Sequence, residues 1–455
     1  MPHALNASPT AGDPRELLSD LIRKACARGA DAADAILFDS ASLSLAQRLG
    51  QPERLERSES QDLGLRVLVG RRQAIVSSTD RRPATLDELV DRAVAMARTV
   101  PEDPFCGLAD PDRIGTGPLP DLDSADPAEP PPDVLIARAK VAEAAAMAVQ
   151  GVTNSEGAEA SWSRSGVWLA ASNGFVGGYT VTRHSLSVSV IAGQGTAMEV
   201  DYDFSSTVYG GDLDDPEALG RSAGERAVRA LNPRKVPTRK VPVVFDPRVS
   251  RSLVGHLAGA VNGASIARGV SFLKDRMGQQ VFAKGVDIVD DPFVRRGLRS
   301  KPFDAEGIRP SRRSIIQDGV LTTWFLDLRS SRQLGLESTG HASRGTSGPP
   351  SPAPTNLYLA AGRRSPAELM ADIGDGFYVT KLMGHGVNGV TGDYSRGASG
   401  FWIENGRIAY PVSEVTIAGN LKDVFRNLEP ASDLEFRYGM DAPTVRVEGL
   451  TVAGT

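Results

Sequence analysis

Residues 401–410 read Phe401-Trp402-Ile403-Glu404-Asn405-Gly406-Arg407-Ile408-Ala409-Tyr410. Two strand-forming runs flank Asn405-Gly406, a dipeptide suited to the left-handed positions of a two-residue hairpin turn. The same pattern recurs upstream. Ser314–Gln317 and Val320–Trp324 flank Asp318-Gly319, and Ser172-Asn173-Gly174-Phe175 interrupts the run from Gly166 to Tyr179. Hairpins make antiparallel pairs, so the sheets are expected to be mostly antiparallel. Helical segments lie between them, which gives an α+β class with helices packed on the sheets.

Further strands are expected over Ala35–Leu49, Gly64–Val69, Gln73–Val76 and Val241–Phe245. His184, Leu186, Val188 and Val190 alternate with Arg183, Ser185, Ser187 and Ser189, the period of a half-buried strand. Helices are announced by their starts. Asp13-Pro14 with Glu16 and Thr85 with Glu88 read as capping boxes, and Asp215-Pro216 and Asp246-Pro247 as capped first turns. The helix after Asp246 is expected to run to about Arg268. Another spans Asp133 to about Gln150.

Residues 107–132 hold seven prolines with Asp between them and read as a surface excursion or linker. A basic stretch from Asn232-Pro233-Arg234-Lys235 to Arg239-Lys240 reads as a boundary. The expected division is an N-terminal α+β domain over 1–235 and a β-rich α+β domain over 240–455.

The chain has 455 residues, with 51 basic and 56 acidic side chains. That mildly acidic balance argues against nucleic-acid binding, which needs a basic face. No stretch approaches the ~18 apolar residues of a membrane span. Met1–Gly12 has neither a basic nor an apolar leader region, so the expected location is cytoplasmic. Two cysteines, Cys26 and Cys106, cannot build a disulfide framework or a thiolate zinc site.

The five histidines are the natural place to look for chemistry. His184 falls on an apolar strand face and reads as a satisfied core residue. His256 shares a helix side with Val249, Leu253, Leu257, Ala260 and Ala264. The positions after it, Leu257-Ala258-Gly259-Ala260-Val261, offer neither a second ligand nor a carboxylate to activate water. Gly384-His385-Gly386-Val387-Asn388-Gly389 matches G-x-G-x-x-G, but Val390–Gly397 after it reads as turn rather than helix. There is no G-x-S-x-G elbow and no Walker A sequence.

Several ordered motifs carry a likeness. They are His256–Gly263, Pro302-Phe303-Asp304-Ala305-Glu306-Gly307, Leu334–His341, Thr391-Gly392-Asp393-Tyr394-Ser395-Arg396-Gly397 through Trp402, and Glu414–Asn420. Over 240–455 the chain resembles the TldD/PmbA family, in its TldE (PmbA) branch. The likeness is fainter over 14–235, where Gly64-Leu65-Arg66-Val67 is its best piece. The resemblance implies a cytoplasmic two-subunit zinc protease acting on unfolded or modified peptides. One subunit carries a helical H-E-x-x-x-H motif and a later Cys ligand; the TldE type lacks them. Here Leu257 stands at the Glu position and Val261 at the second His, and Arg437-Tyr438-Gly439-Met440 has no Cys. The resemblance therefore implies no zinc in this chain, with zinc in a TldD-type partner, and the pseudo-symmetry of a paralogous pair also allows a homodimer when the chain is alone. His341, His385, Asp393, Tyr394 and Arg396 are the residues expected to face substrate or a shared chamber. Peptide capture is expected by strand addition at the hairpins around 314–324 and 401–410. Two alternatives stand beside this reading. One is a stand-alone hydrolase whose His256, His341 and His385 converge with Asp304, Glu306 or Asp393. The other is a regulatory peptide-binding protein.

Overall fold

The computed structural model describes residues 13–454. Helix α1 (Pro14–Ala27) opens with Asp13 as its cap, but the carboxylate accepts from the Arg15 N–H at 2.9 Å rather than from Glu16. It buries Leu18, Leu21, Ile22 and Ala25. A six-stranded antiparallel sheet follows, made of β1 (Ala32–Arg48), β2 (Gln51–Val69), β3 (Arg72–Ser78), β4 (Val152–Ala171), β5 (Val176–Ala192) and β6 (Glu199–Thr207). Its order is β3-β2-β1-β4-β5-β6. The Asn173-Gly174 turn joins β4 to β5 as expected.

Helices α2 (Pro83–Thr99), α3 (Pro132–Met147) and α4 (Pro216–Arg229) belong to this half. α2 starts two residues before the expected Thr85, because Pro83 already holds the φ of a first helical turn. Thr85 instead donates its hydroxyl to Asp80 at 3.0 Å. Leu86, Leu89, Val90, Ala93, Val94 and Ala97 of α2 pack with α1 over one end of the sheet. The Ala-rich face of α3 and the small face of α4 cover the other end. Gly220 and Gly224 are needed there: a Cβ on Gly220 would sit 2.0 Å from the Ala142 carbonyl of α3.

The Pro-rich segment has no regular element, yet it is pinned. Ala109 and Leu122 are buried. Asp123 accepts from Tyr209 at 2.6 Å and from Arg296 at 2.7 Å, so the segment straps the two halves of the chain together.

The second half begins with β7 (Arg239–Phe245) and α5 (Pro247–Ala260). The helix does not reach Arg268. It stops at Val261, and a separate turn, α6 (Gly263–Ala267), is capped by Asn262. The cause lies far along the chain: Phe325 takes the Val261 carbonyl and gives its own to the Gly263 N–H, both across main-chain bonds. A mixed sheet contains β8 (Ile288–Asp291), β9 (Arg313–Gln317), β10 (Val320–Leu321), a strand at Asn356–Leu359 and one at Met440–Asp441. A third sheet contains Asp375–Met383, Asp393–Glu404, Arg407–Asn420 and Val445–Ala453 beside β7. We label these four β11, β12, β13 and β14. Its order is β13-β12-β11-β7-β14 with a sixth short strand, Leu428–Pro430, outside β14, and β13 also pairs with β14, so five of the six strands close into a ring. β12 begins at Asp393, so most of the stretch expected as turn is strand. The large core of this half packs Phe245, Leu253, Leu257, Val261, Phe377 and Val452 among many others.

Candidate functional site

The residues expected to face substrate gather around β12, with the exception of His341. His256 on α5 faces β12, where its ring lies edge-on to Tyr394 with centroids 5.9 Å apart. Arg396, two residues along the strand, donates from Nε to the Met383 carbonyl at 3.1 Å. The loop that carries His385 joins this neighbourhood, with the Ser395 N–H donating to the Gly386 carbonyl at 2.7 Å and a bridge between Val387 and Tyr394, and Asp393 precedes Tyr394 on the strand. Leu257 and Val261 point the other way and are wholly buried in the core.

This neighbourhood is short of hydrogen bonds. His256 Nε2 and the Tyr394 hydroxyl are both buried without a partner. Buried polar groups of folded chains are nearly always paired, so two orphans side by side mark a place built to meet something else. Burial pushes the His256 pKa down to about 4, and Arg396 adds to that push. The ring is neutral at pH 7. Burial raises the Tyr394 phenol to about 12, so it stays a donor. The face of α5 that carries Gly255 and Gly259 is open: nothing lies within 4 Å of a Cβ on Gly259, and only the Met440 sulfur approaches one on Gly255.

His341 is a correction. It was expected to face substrate, and it is fully buried. Its Nε2 lies 3.1 Å from Asp290 and its Nδ1 2.8 Å from the Thr339 hydroxyl. Asp290 also accepts from the Thr355 N–H at 2.7 Å and from the Thr355 hydroxyl. Every polar group there is used, so this is a structural network. His385 is exposed on the loop between β11 and β12. Asp393 is exposed as well. Hydrogen bonds from Thr391 and then Asn420 hold its carboxyl below the usual range. His184 is buried as expected but not satisfied. Its Nε2 lies 3.2 Å from Asp126, out of line for a hydrogen bond.

The convergent hydrolase site does not form. Asp304 turns its carboxylate to the N–H groups of Glu306, Ile308 and Ala342 at 2.9–3.1 Å. Glu306 accepts from the Leu328 N–H at 2.8 Å. Neither carboxylate hydrogen-bonds a histidine among the described residues. Among the described residues no group of three or more His, Cys, Asp or Glu could hold a metal ion. A zinc ion of the kind the resemblance implies does not fit α5. Its one imidazole has apolar, core-packed residues where the other donors would be.

Strand addition at the two named hairpins also meets an obstacle. The outer side of β10 is taken by 278–281, with Gly278 N–H to Leu321 O at 2.8 Å and Leu321 N–H to Gln279 O at 3.0 Å. β13 is paired to β12 throughout and to β14 over Thr416–Ala418, and Arg234 meets it at Pro411. That leaves short runs, Arg407–Tyr410 and Ser413–Val415, without a ladder partner on that side among the described residues, the first bounded by a proline, which suits an edge and not a docking ladder.

A contact that sequence reading missed joins the halves. Arg66 of β2 and Arg344 both grip the buried Asp34 of β1, with Arg66 Nε at 2.8 Å and Arg344 Nη1 at 2.6 Å. Gly64 is required beside it, because a Cβ there would lie 2.3 Å from the Thr346 carbonyl. An arginine inside a hydrophobic strand was the available signal.

Comparison with known proteins agrees with this geometry. The PmbA/TldA metallopeptidase domain 1 matches residues 33–97, the central domain 125–231 and the C-terminal domain 238–454. A protein named Metalloprotease PmbA from Escherichia coli O157:H7 is 41% identical over 427 residues, 93% of this chain and 92% of its own length. A PmbA homolog from Haemophilus influenzae is 37% identical over 443 residues, 97% and 96% of the two chains. A crystal structure from Bacteroides thetaiotaomicron, titled a putative modulator of DNA gyrase, superposes with a TM-score of 0.89 at 29% identity. It covers 97% of this chain and 99% of its own. TldE from Thermococcus kodakarensis shares the fold, with a TM-score of 0.86 at 20% identity over 96% and 100% of the two chains. Three domain matches in order, with relatives alike over nearly their whole length, settle the family: this chain belongs to the PmbA/TldD metallopeptidases.

Proposed function

We propose that this chain is the non-catalytic, TldE-type subunit of a cytoplasmic two-subunit zinc metalloprotease that takes in and cleaves unfolded or modified peptides. The observation that carries the reading is the state of α5. Catalytic zinc needs three protein ligands and an open position for water. Here one imidazole remains, and Leu257 and Val261 are core residues with no exposure. The helix holds its place in the fold while its chemistry has gone. The TldD-type partner supplies zinc and the general base. This chain supplies wall and support, with the His256–Tyr394 orphans at its edge. Without that partner the chain pairs with a second copy of itself.

Elemental analysis tests the division of labour. The chain purified alone holds no stoichiometric zinc and cleaves no peptide. Purified with a TldD-type subunit, the pair holds about one zinc per heterodimer. A stoichiometric metal in the lone chain would overturn the reading.

A further inference from the structure

α4, β6, the start of α5, β11, β12 and β13 enclose a cavity of about 120 Å³ between the two halves of the chain. A void of ~150 Å³ takes one benzene ring, so this space suits a single bulky side chain. Its apolar wall includes Phe401, Ile408 and Val412.

The charges around it do not cancel locally. Asp201 is spent twice, on Arg248 at 3.0 Å and on Lys381 at 3.2 Å. Asp246 is spent as the cap of α5 and as acceptor for Tyr378 at 2.9 Å. Glu199 remains, and burial raises its carboxyl pKa. Arg226 has only a long contact to Asp203, 3.6 Å, and its Nη1 is buried without a hydrogen bond. Arg229 lies 4.4 Å over the Phe401 ring and has no carboxylate partner among the described residues. Two guanidinium groups short of acceptors, beside an aromatic-sized void, ask for a planar anion joined to an apolar group. Guanidinium forks match carboxylates in this way. Interdomain clefts are favoured places for such sites.

We propose that this cavity binds the C-terminal residue of a peptide, its α-carboxylate on Arg226 and Arg229 and its bulky apolar side chain against Phe401, Ile408 and Val412. Every cleavage of a peptide bond creates one new terminus of this kind. The choice of a peptide rests on the proposed role in proteolysis; the carboxylate chemistry rests on the cavity.

Calorimetric titration of the full chain tests the site with N-acetyl-phenylalanine, its carboxamide, and the tripeptide Ala-Ala-Phe. The acids are expected to bind in the high-micromolar range and the carboxamide at least tenfold more weakly. Arg229→Ala is expected to weaken the acids at least tenfold, and Arg229→Lys by less. Ile408→Trp fills the void without changing charge and is expected to abolish binding. Circular dichroism and the melting temperature confirm that each variant folds. Equal affinity for acid and carboxamide, absent binding at 5 mM, or unchanged affinity in both Arg229→Ala and Ile408→Trp would overturn the site. None of these outcomes bears on the zinc measurement, so the two proposals fail separately.

Discussion

Two imidazoles of the second half, one fully and one partly buried, read differently in the sequence, His256 as packed against the core and His341 as facing substrate. In the fold they are opposites. His341 has both nitrogens met, by Asp290 and Thr339, and is enclosed on every side. His256 has an orphaned Nε2 next to an orphaned phenol, beside a bare helix face. A satisfied network resists change and adds rigidity. An unsatisfied pair is tolerated only where the rest of the fold carries its cost, and where something else meets it.

The comparison can be broken most easily at the satisfied network. Asp290→Ala strands His341 and Thr355 together in the core. It is expected to destabilise the chain by about 3–5 kcal/mol, read as a lower urea midpoint. A loss under ~1 kcal/mol would mean that the network does not hold this region together.

Next in size is the pH response at His256. Its folded pKa is about 4, below the unfolded ~6.5. Between those values the unfolded chain binds one more proton, so stability rises with pH there and is complete above about 6.5. The effect is at most ~3 kcal/mol across that window. His256→Phe should remove it, seen as a flatter urea midpoint against pH from 4 to 6.5. An unchanged slope would place the titration elsewhere.

At pH 7.5 the same His256→Phe is expected to be neutral or stabilising by up to ~1 kcal/mol, because it deletes an unpaired buried polar atom. Its counterpart, His341→Phe, should destabilise by ~2 kcal/mol or more. Equal effects would erase the distinction. The smallest effect belongs to His385→Ala on the exposed loop, within ~0.5 kcal/mol of the parent by thermal melting.

What could be read from the sequence follows the range of its causes. Asn405-Gly406, Asp318-Gly319 and Asn173-Gly174 make their turns locally, so the antiparallel sheets were legible. The break in α5 was not, since Phe325 imposes it from more than sixty residues away. The burial of His341 depends on Asp290 and Thr355, which nothing near His341 announces. The apolar character of positions 257 and 261 was legible because it lies within one helical turn of His256. The Arg229–Phe401 cavity was invisible, because its wall is assembled from segments on both halves of the chain.

The closed ring of β7, β11, β12, β13 and β14 also bears on how the protein is made. β7 and β14 are hydrogen-bonded neighbours, Phe245 opposite Val445, although 200 residues separate them. A ribosome adds ~5–20 residues per second, so β7 waits roughly 10–40 s for its last neighbour to emerge. During that interval the β14 edge of β7 stays unpaired, while α5 and later β11 cover the strand from elsewhere. The second half therefore cannot finish folding until Val445–Ala453 has emerged. A chain ending a few residues before Val445 would leave the ring open on two strands at once, β7 and β13, and present both to any other unfinished copy nearby.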